Sequence, residues 1–290
     1  MSHEITSAMN RAWEVGKETV PQEPLKRGSG FTFQDLYNHS MDRSVGRREG
    51  GYITGKPLLI VCIEDAIPAL SPWLKPYGLI RTAGAGALDT STTIAQLITQ
   101  FETRRGEGDT PQIEGVRSHP FCGAVDLKRS ETGDNREPRD IGLEAARVVN
   151  EGIGGNSAGF IHSIHRRGDL HPARVVYYDA TYAGLDPTIM AEGMPKGFVG
   201  SRGWMGQEIG MRDAELAARI ALGPHGFGPL FTEETPLWVV GITDNDLRSV
   251  HRDQLGEELD TINSNVNRTT LGDSIGRIAS DIIIASGEGR

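Results

Sequence analysis

At 290 residues the chain is about twice the modal domain size, which leaves room for one enlarged α/β domain or two small ones. Apolar residues make up 37% and 37 glycines come on top of them, an ordinary globular composition that excludes a wholly disordered polymer. Thirty basic against 39 acidic residues leave a net charge of -9, with no long run of Lys or Arg, so a small molecule is a better partner than nucleic acid or an anionic membrane.

The opening segment MSHEITSAMN lacks the charged start and apolar stretch of a signal peptide. No apolar run approaches the roughly 18 residues of a membrane helix, and a cytoplasmic protein is expected. Residues 1–50 are polar and mixed; they read as an N-terminal arm with helices over Ile5–Lys17 and Phe33–Arg43, packed on its own domain or on a second subunit. Residues 51–290 are expected to form a single α/β domain. Its first strand is Pro57–Ile63 (PLLIVCI), a continuous apolar run suited to burial on both faces of a parallel sheet, with Cys62 at its end.

Thr90 or Ser91 is placed to cap a following helix whose Ile94, Leu97, Ile98 and Phe101 recur at helical spacing. The loop RRGEGDTP ends that helix, and QIEGVRSH reads as the next strand, delivering His119 and Cys122 just past its end. Strand, helix and strand make a crossover unit, and ligands of open parallel sheets gather beyond the carboxyl ends of the strands.

Farther along, Lys128–Pro138 reads as a surface loop, and Ile141, Ala145, Val148 and Val149 mark a helix. Ala173–Tyr178 marks a strand, Asp213–Leu222 a helix and Pro236–Ile242 another buried strand. Leu271, Ile275, Ile278 and Ile282 form a stripe that predicts a C-terminal helix. No internal repeat is visible in the sequence.

Both cysteines of the chain fall near strand ends, too few for a disulfide framework. Two thiolates and one imidazole are ligands that Zn²⁺ favours, and a Cys₂His set leaves a fourth position for water or a carboxylate. His-x-x-Cys in a tight turn lets His119 and Cys122 address the same ion as Cys62. Rival signals are weaker. The stretch Gly152–Gly159 (GIGGNSAG) could cradle a phosphate ahead of a helix but lacks the Lys-Ser/Thr of a P-loop, and His162 and His165 lie one helical turn apart without a third ligand nearby.

Four segments together resemble the β-class carbonic anhydrases: VCIEDA around Cys62, LIRTAGAGA over Leu79–Ala87, SHPFCGAV over Ser118–Val125 and VVYYDATYAGL over Val175–Leu185. The resemblance, over roughly residues 55–190, implies an α/β fold with a mostly parallel central sheet flanked by helices and a homodimer or larger assembly; the N-terminal helical arm and a C-terminal extension lie outside it. It implies one zinc per chain held by Cys62, His119 and Cys122, and reversible hydration of CO₂ to bicarbonate. The family's first motif is Cys-x-Asp-x-Arg, its Arg holding the Asp off the metal; this chain has Glu64 and Ala66 there, with Asp65 between. Glu64 or Asp65 is then expected to orient or gate the water, and Arg81 is a substitute for the missing cation. Two alternatives are a zinc hydrolase of another small linear substrate, such as CS₂ or COS, and a non-catalytic homologue whose metal is closed by a carboxylate.

Overall fold

A computed structural model describes residues 56–63, 76–106, 112–161, 175–181, 197–223, 231–245, 247, 249–269 and 277–285. The helices expected in the arm, together with Glu64, Asp65, His162 and His165, lie outside these residues.

The apolar run after Pro57 forms β1 (Leu58–Cys62), buried on both faces. It is followed by β2 (Gly78–Thr82), a short turn at Ala83–Gly86, and α1 (Thr90–Gly106). Then come β3 (Ile113–Ser118), α2 (Gly123–Thr132), α3 (Pro138–Ile153) and β4 (Ser157–Phe160). The four strands form one all-parallel sheet in the order β2-β1-β3-β4. β2 was not foreseen as a strand; it joins the outer side of β1.

The chain then builds β5 (Val175–Asp179), β6 (Gly197–Ser201), α4 (Arg202–Met205), α5 (Gln207–Leu222), β7 (Leu237–Asp244), α6 (Arg252–Thr269) and β8 (Ile278–Ala285). These strands form a second all-parallel sheet in the order β6-β5-β7-β8. The fold is thus α/β with parallel strands and flanking helices, and the strands divide between two sheets.

The two sheets follow one plan, a repeat that the residues themselves do not display. Taken in chain order, each half lays its second strand outside its first and its third and fourth on the other side. Even the register agrees: β1 pairs with β2 from Leu58–Gly78 to Cys62–Thr82, and β5 pairs with β6 from Val175–Gly197 to Asp179–Ser201. One apolar core runs through both halves, joining Leu58, Leu97 and Val149 to Val176, Leu216 and Leu259. Burial of such side chains is worth ~1.5–3 kcal/mol each and is the main force holding the halves together.

Local chemistry explains four departures from the sequence-based expectations. Asp89, not Thr90 or Ser91, caps α1: its Oδ1 accepts from the Thr92 amide at 3.1 Å and its Oδ2 from the Thr92 hydroxyl at 2.7 Å. The charged stretch from Lys128 is helical as far as Thr132, so the exposed connection is shorter than expected. The glycine-rich Gly152–Gly159 ends α3 at Gly154 (φ 67°) and enters β4, so it presents no helix N-terminus to a phosphate. Leu271 and Ile275 of the stripe expected to be a C-terminal helix lie outside the described residues, and Ile278–Ala285 is instead a strand paired along its whole length with β7. Its Ile282, Ile283 and Ile284 are β-branched and stiff at χ1, which suits a pleated strand better than a helix.

One irregularity lies in β3. Leu58 pairs with Ile113 but Leu59 pairs with Gly115, so β3 carries one extra residue at its start. Only glycine fits there, because a Cβ on Gly115 would overlap the Ser157 carbonyl oxygen of β4. No helix among the described residues is long and apolar enough to cross a membrane.

Candidate metal centre

Cys62 is the last residue of β1, and β3 runs parallel beside it to Ser118. His119 follows directly. The chain then turns through Pro120 and Phe121, and Cys122 stands at the N-cap of α2. Phe121 adopts φ 57°, a left-handed conformation costly for a bulky residue, and it is this turn that brings Cys122 back toward His119. The amides of Val125 and Asp126 donate to the Cys122 carbonyl at 3.0 and 3.1 Å, fixing the loop to the helix.

The two Sγ atoms and an imidazole nitrogen lie within 4.8 Å of one another, and all three residues are buried. Among the described residues this is the one group of three or more His, Cys, Asp or Glu side chains able to hold a metal ion. His119 Nδ1 lies 2.8 Å from the Pro120 carbonyl oxygen. A carbonyl only accepts, so Nδ1 carries the proton and Nε2 keeps its lone pair for a metal.

The electrostatics point the same way. A hydrogen bond with Cys122, burial and the charge of Cys122 push the Cys62 thiol well above its ordinary range, while His119 pulls it down. Two neighbouring buried thiolates repel, and a divalent cation between them removes that penalty. The N-terminus of α2 behind Cys122 favours a thiolate as well. Thiolate sulfurs and a neutral imidazole form a donor set for a soft or borderline metal ion.

Arg81 lies in β2 level with Val61, and its Nη1 donates to the Cys62 carbonyl at 3.4 Å. It therefore braces the backbone of a candidate ligand. Glu64 and Asp65 lie outside the described residues. The sequence reading did not single out Asp213, in α5, which is 1% exposed and whose Oδ1 accepts from the Ala83 amide at 2.8 Å. Burial pushes its carboxyl up to about 6, against the pull of the Ala83 amide and of Gln96. A signal was present: helical spacing sets Asp213 in line with Ala217 and Ile220, an acid on an otherwise apolar face. No protein-family model, curated protein or solved structure matches the chain.

Proposed function

We propose that the chain is a zinc protein of the β-class carbonic anhydrase type that interconverts CO₂ and bicarbonate, with Cys62, His119 and Cys122 as the metal ligands. The reading rests on the convergence of these three residues, from a strand end and a separate strand-to-helix turn, into one buried group of ligand atoms within 4.8 Å. Zinc held there supplies a Lewis acid that makes water nucleophilic near neutral pH. The protein's part is to prepare the ligands. Pro120 fixes the tautomer of His119, the start of α2 favours the Cys122 thiolate, and Arg81 holds the Cys62 carbonyl. Glu64 or Asp65 then serves as the acid that takes a hydrogen bond from the water.

The replacement of the family's Arg by Ala66 favours a second reading, in which that acid closes the metal and the protein is non-catalytic. Both readings require zinc. Metal analysis of purified protein should find about one zinc per chain, lost in Cys122→Ser; full occupancy in that variant would remove the ligand assignment. Stopped-flow CO₂ hydration from pH 6.5 to 9, with Glu64→Ala and Asp65→Ala alongside, separates the two. Activity lost on removing one acid supports the enzyme, whereas no rate above buffer in folded, zinc-loaded wild type leaves the closed site. The reading also carries a cytoplasmic homodimer or larger assembly, and sedimentation of the full chain at micromolar concentration checks the assembly.

A further inference from the structure

We propose that the C-terminal half is a counterpart of the metal-binding half without a metal centre of its own, and that it acts on the centre through Asp213, a positioning residue clamping the Ala83–Gly86 turn. The inference rests on the metal reading of Cys62, His119 and Cys122.

The first part follows from the shared plan of the two sheets. Cys62 ends β1 and pairs with the last residue of β2; the matching residue of β5 is Asp179, paired with Ser201. Carrying the Ile60–Val116 pairing on by two residues sets Ser118 level with Cys62, and Asp179 pairs with Ile242. The residue matching His119 is therefore Thr243. Neither offers a soft ligand, and both are engaged internally. Asp179 Oδ1 accepts from the amide and the hydroxyl of Thr181 at 3.0 and 2.7 Å, and the Thr243 hydroxyl donates to the Val250 carbonyl at 2.6 Å. The edge that binds metal in one half is sewn up by hydrogen bonds in the other.

The second part follows from what the two halves exchange. The long helices α1, after β2 and its short turn, and α5, after β6 and the short α4, hold matching places, and each reaches across. Gln96 of α1 donates to the Ile209 carbonyl of α5 at 3.3 Å, and Asp213 of α5 accepts from the Ala83 amide. The bond to Ala83 bears on the metal ligands because its turn and Thr82 just before it touch both thiol segments. On one side the Thr82 carbonyl accepts from the Ile63 amide, next to Cys62, at 3.0 Å. On the other, Gly84 lies against Ala124, two residues after Cys122 in the first turn of α2. Asp213 thus holds the element that sets the separation of the two sulfurs, as outer partners of metal sites do.

The test uses the full chain loaded with Co²⁺, whose visible spectrum reports thiolate coordination. It compares wild type with Asp213→Ala, Asp213→Asn and, as a control for general destabilisation, Thr243→Val. Asp213→Ala is expected to lower Co²⁺ affinity about tenfold or more and to shift the d–d bands. Asp213→Asn keeps an oxygen for the Ala83 amide and should restore both. Thr243→Val should lower the urea midpoint while leaving affinity and spectrum as in wild type. Wild-type affinity and spectrum in Asp213→Ala, or equal losses in Thr243→Val, would overturn the inference alone. A wild-type chain that takes up no Co²⁺ overturns the metal reading and this inference with it. Should Asp213→Ala not fold, hydrogen exchange decides: adding Co²⁺ to wild type should slow exchange of the Ala83 amide, and unchanged exchange would overturn the clamp.

Discussion

Replacing Gly84 by alanine loads the contact between the Ala83–Gly86 turn and the metal loop directly. Gly84 has φ 72°, where an L-residue pays ~1–2 kcal/mol. A Cβ there would also fall well inside contact with the Cβ of Ala124, which is fully buried and cannot swing aside. Overpacking of that kind costs ~1–3 kcal/mol, so the total for Gly84→Ala is about 2–5 kcal/mol. Gly154 provides the comparison, with nearly the same φ of 67° and nothing within 4 Å of an added Cβ. Gly154→Ala should therefore lose only the backbone share, ~1–2 kcal/mol, and the gain from a stiffer unfolded chain, ~0.4–1 kcal/mol, is common to both. The assay is urea unfolding of both variants, with metal affinity measured alongside by chelator competition. Gly84→Ala should be the less stable by about 1–3 kcal/mol and should alone bind metal more weakly, because Ala124 can yield only by moving the start of α2 and Cys122 with it. Equal stabilities, or equal metal affinities, would refute the turn-to-loop coupling.

Two further substitutions test the buried charges. In Asp213 the carboxyl stands at about 6 against an ordinary 3.8, so the folded state holds its proton more tightly than the unfolded one. Wild-type stability measured relative to Asp213→Asn should then fall as pH rises from 4 to 7, by up to about 3 kcal/mol, and level off above; a difference that is flat or rises would contradict the buried carboxyl. Glu258 of α6, 2% exposed, accepts from Arg202 at 2.9 and 3.0 Å, from the Tyr178 hydroxyl at 2.7 Å and from Gln254 at 3.0 Å. Arg202→Ala removes the charge partner of that buried carboxylate and should cost about 3–5 kcal/mol in urea unfolding, with a loss under 1 kcal/mol counting against a carboxylate that depends on Arg202.

What could be read from the residues was what is local. Leu58–Cys62 and Leu237–Ile242 are apolar without interruption, so burial on both faces followed directly, and His119 and Cys122 carry their chemistry in their spacing. Ile278 and Ile282 fit a strand as well as a helix, because residues four apart share a face in both, and only pairing with β7 distinguishes the two. The repeat escaped notice because it lives in hydrogen-bond register: GLIRT and GFVGS share a first glycine and little else, yet pair identically with β1 and β5. Asp213 depends on a partner 130 residues away, and no pattern within its own helix names Ala83.

The extra residue ahead of Gly115 acts as a length correction applied at the far end of the sheet. Strand residues advance about 3.3 Å each, whereas metal–ligand distances tolerate only ~0.2 Å. Were β3 to run beside β1 without the insertion, His119 and Cys122 would arrive one residue out of phase with Cys62, with their side chains on alternate sides of the pleat. The coincidence of three candidate ligands at the carboxyl edge is therefore decided near the amino end of β3, where Ser157 leaves no space for a side chain on Gly115. Deleting Glu114 would act on the candidate metal centre as a frameshift acts on a message, leaving every candidate ligand intact and misaligning all that follows.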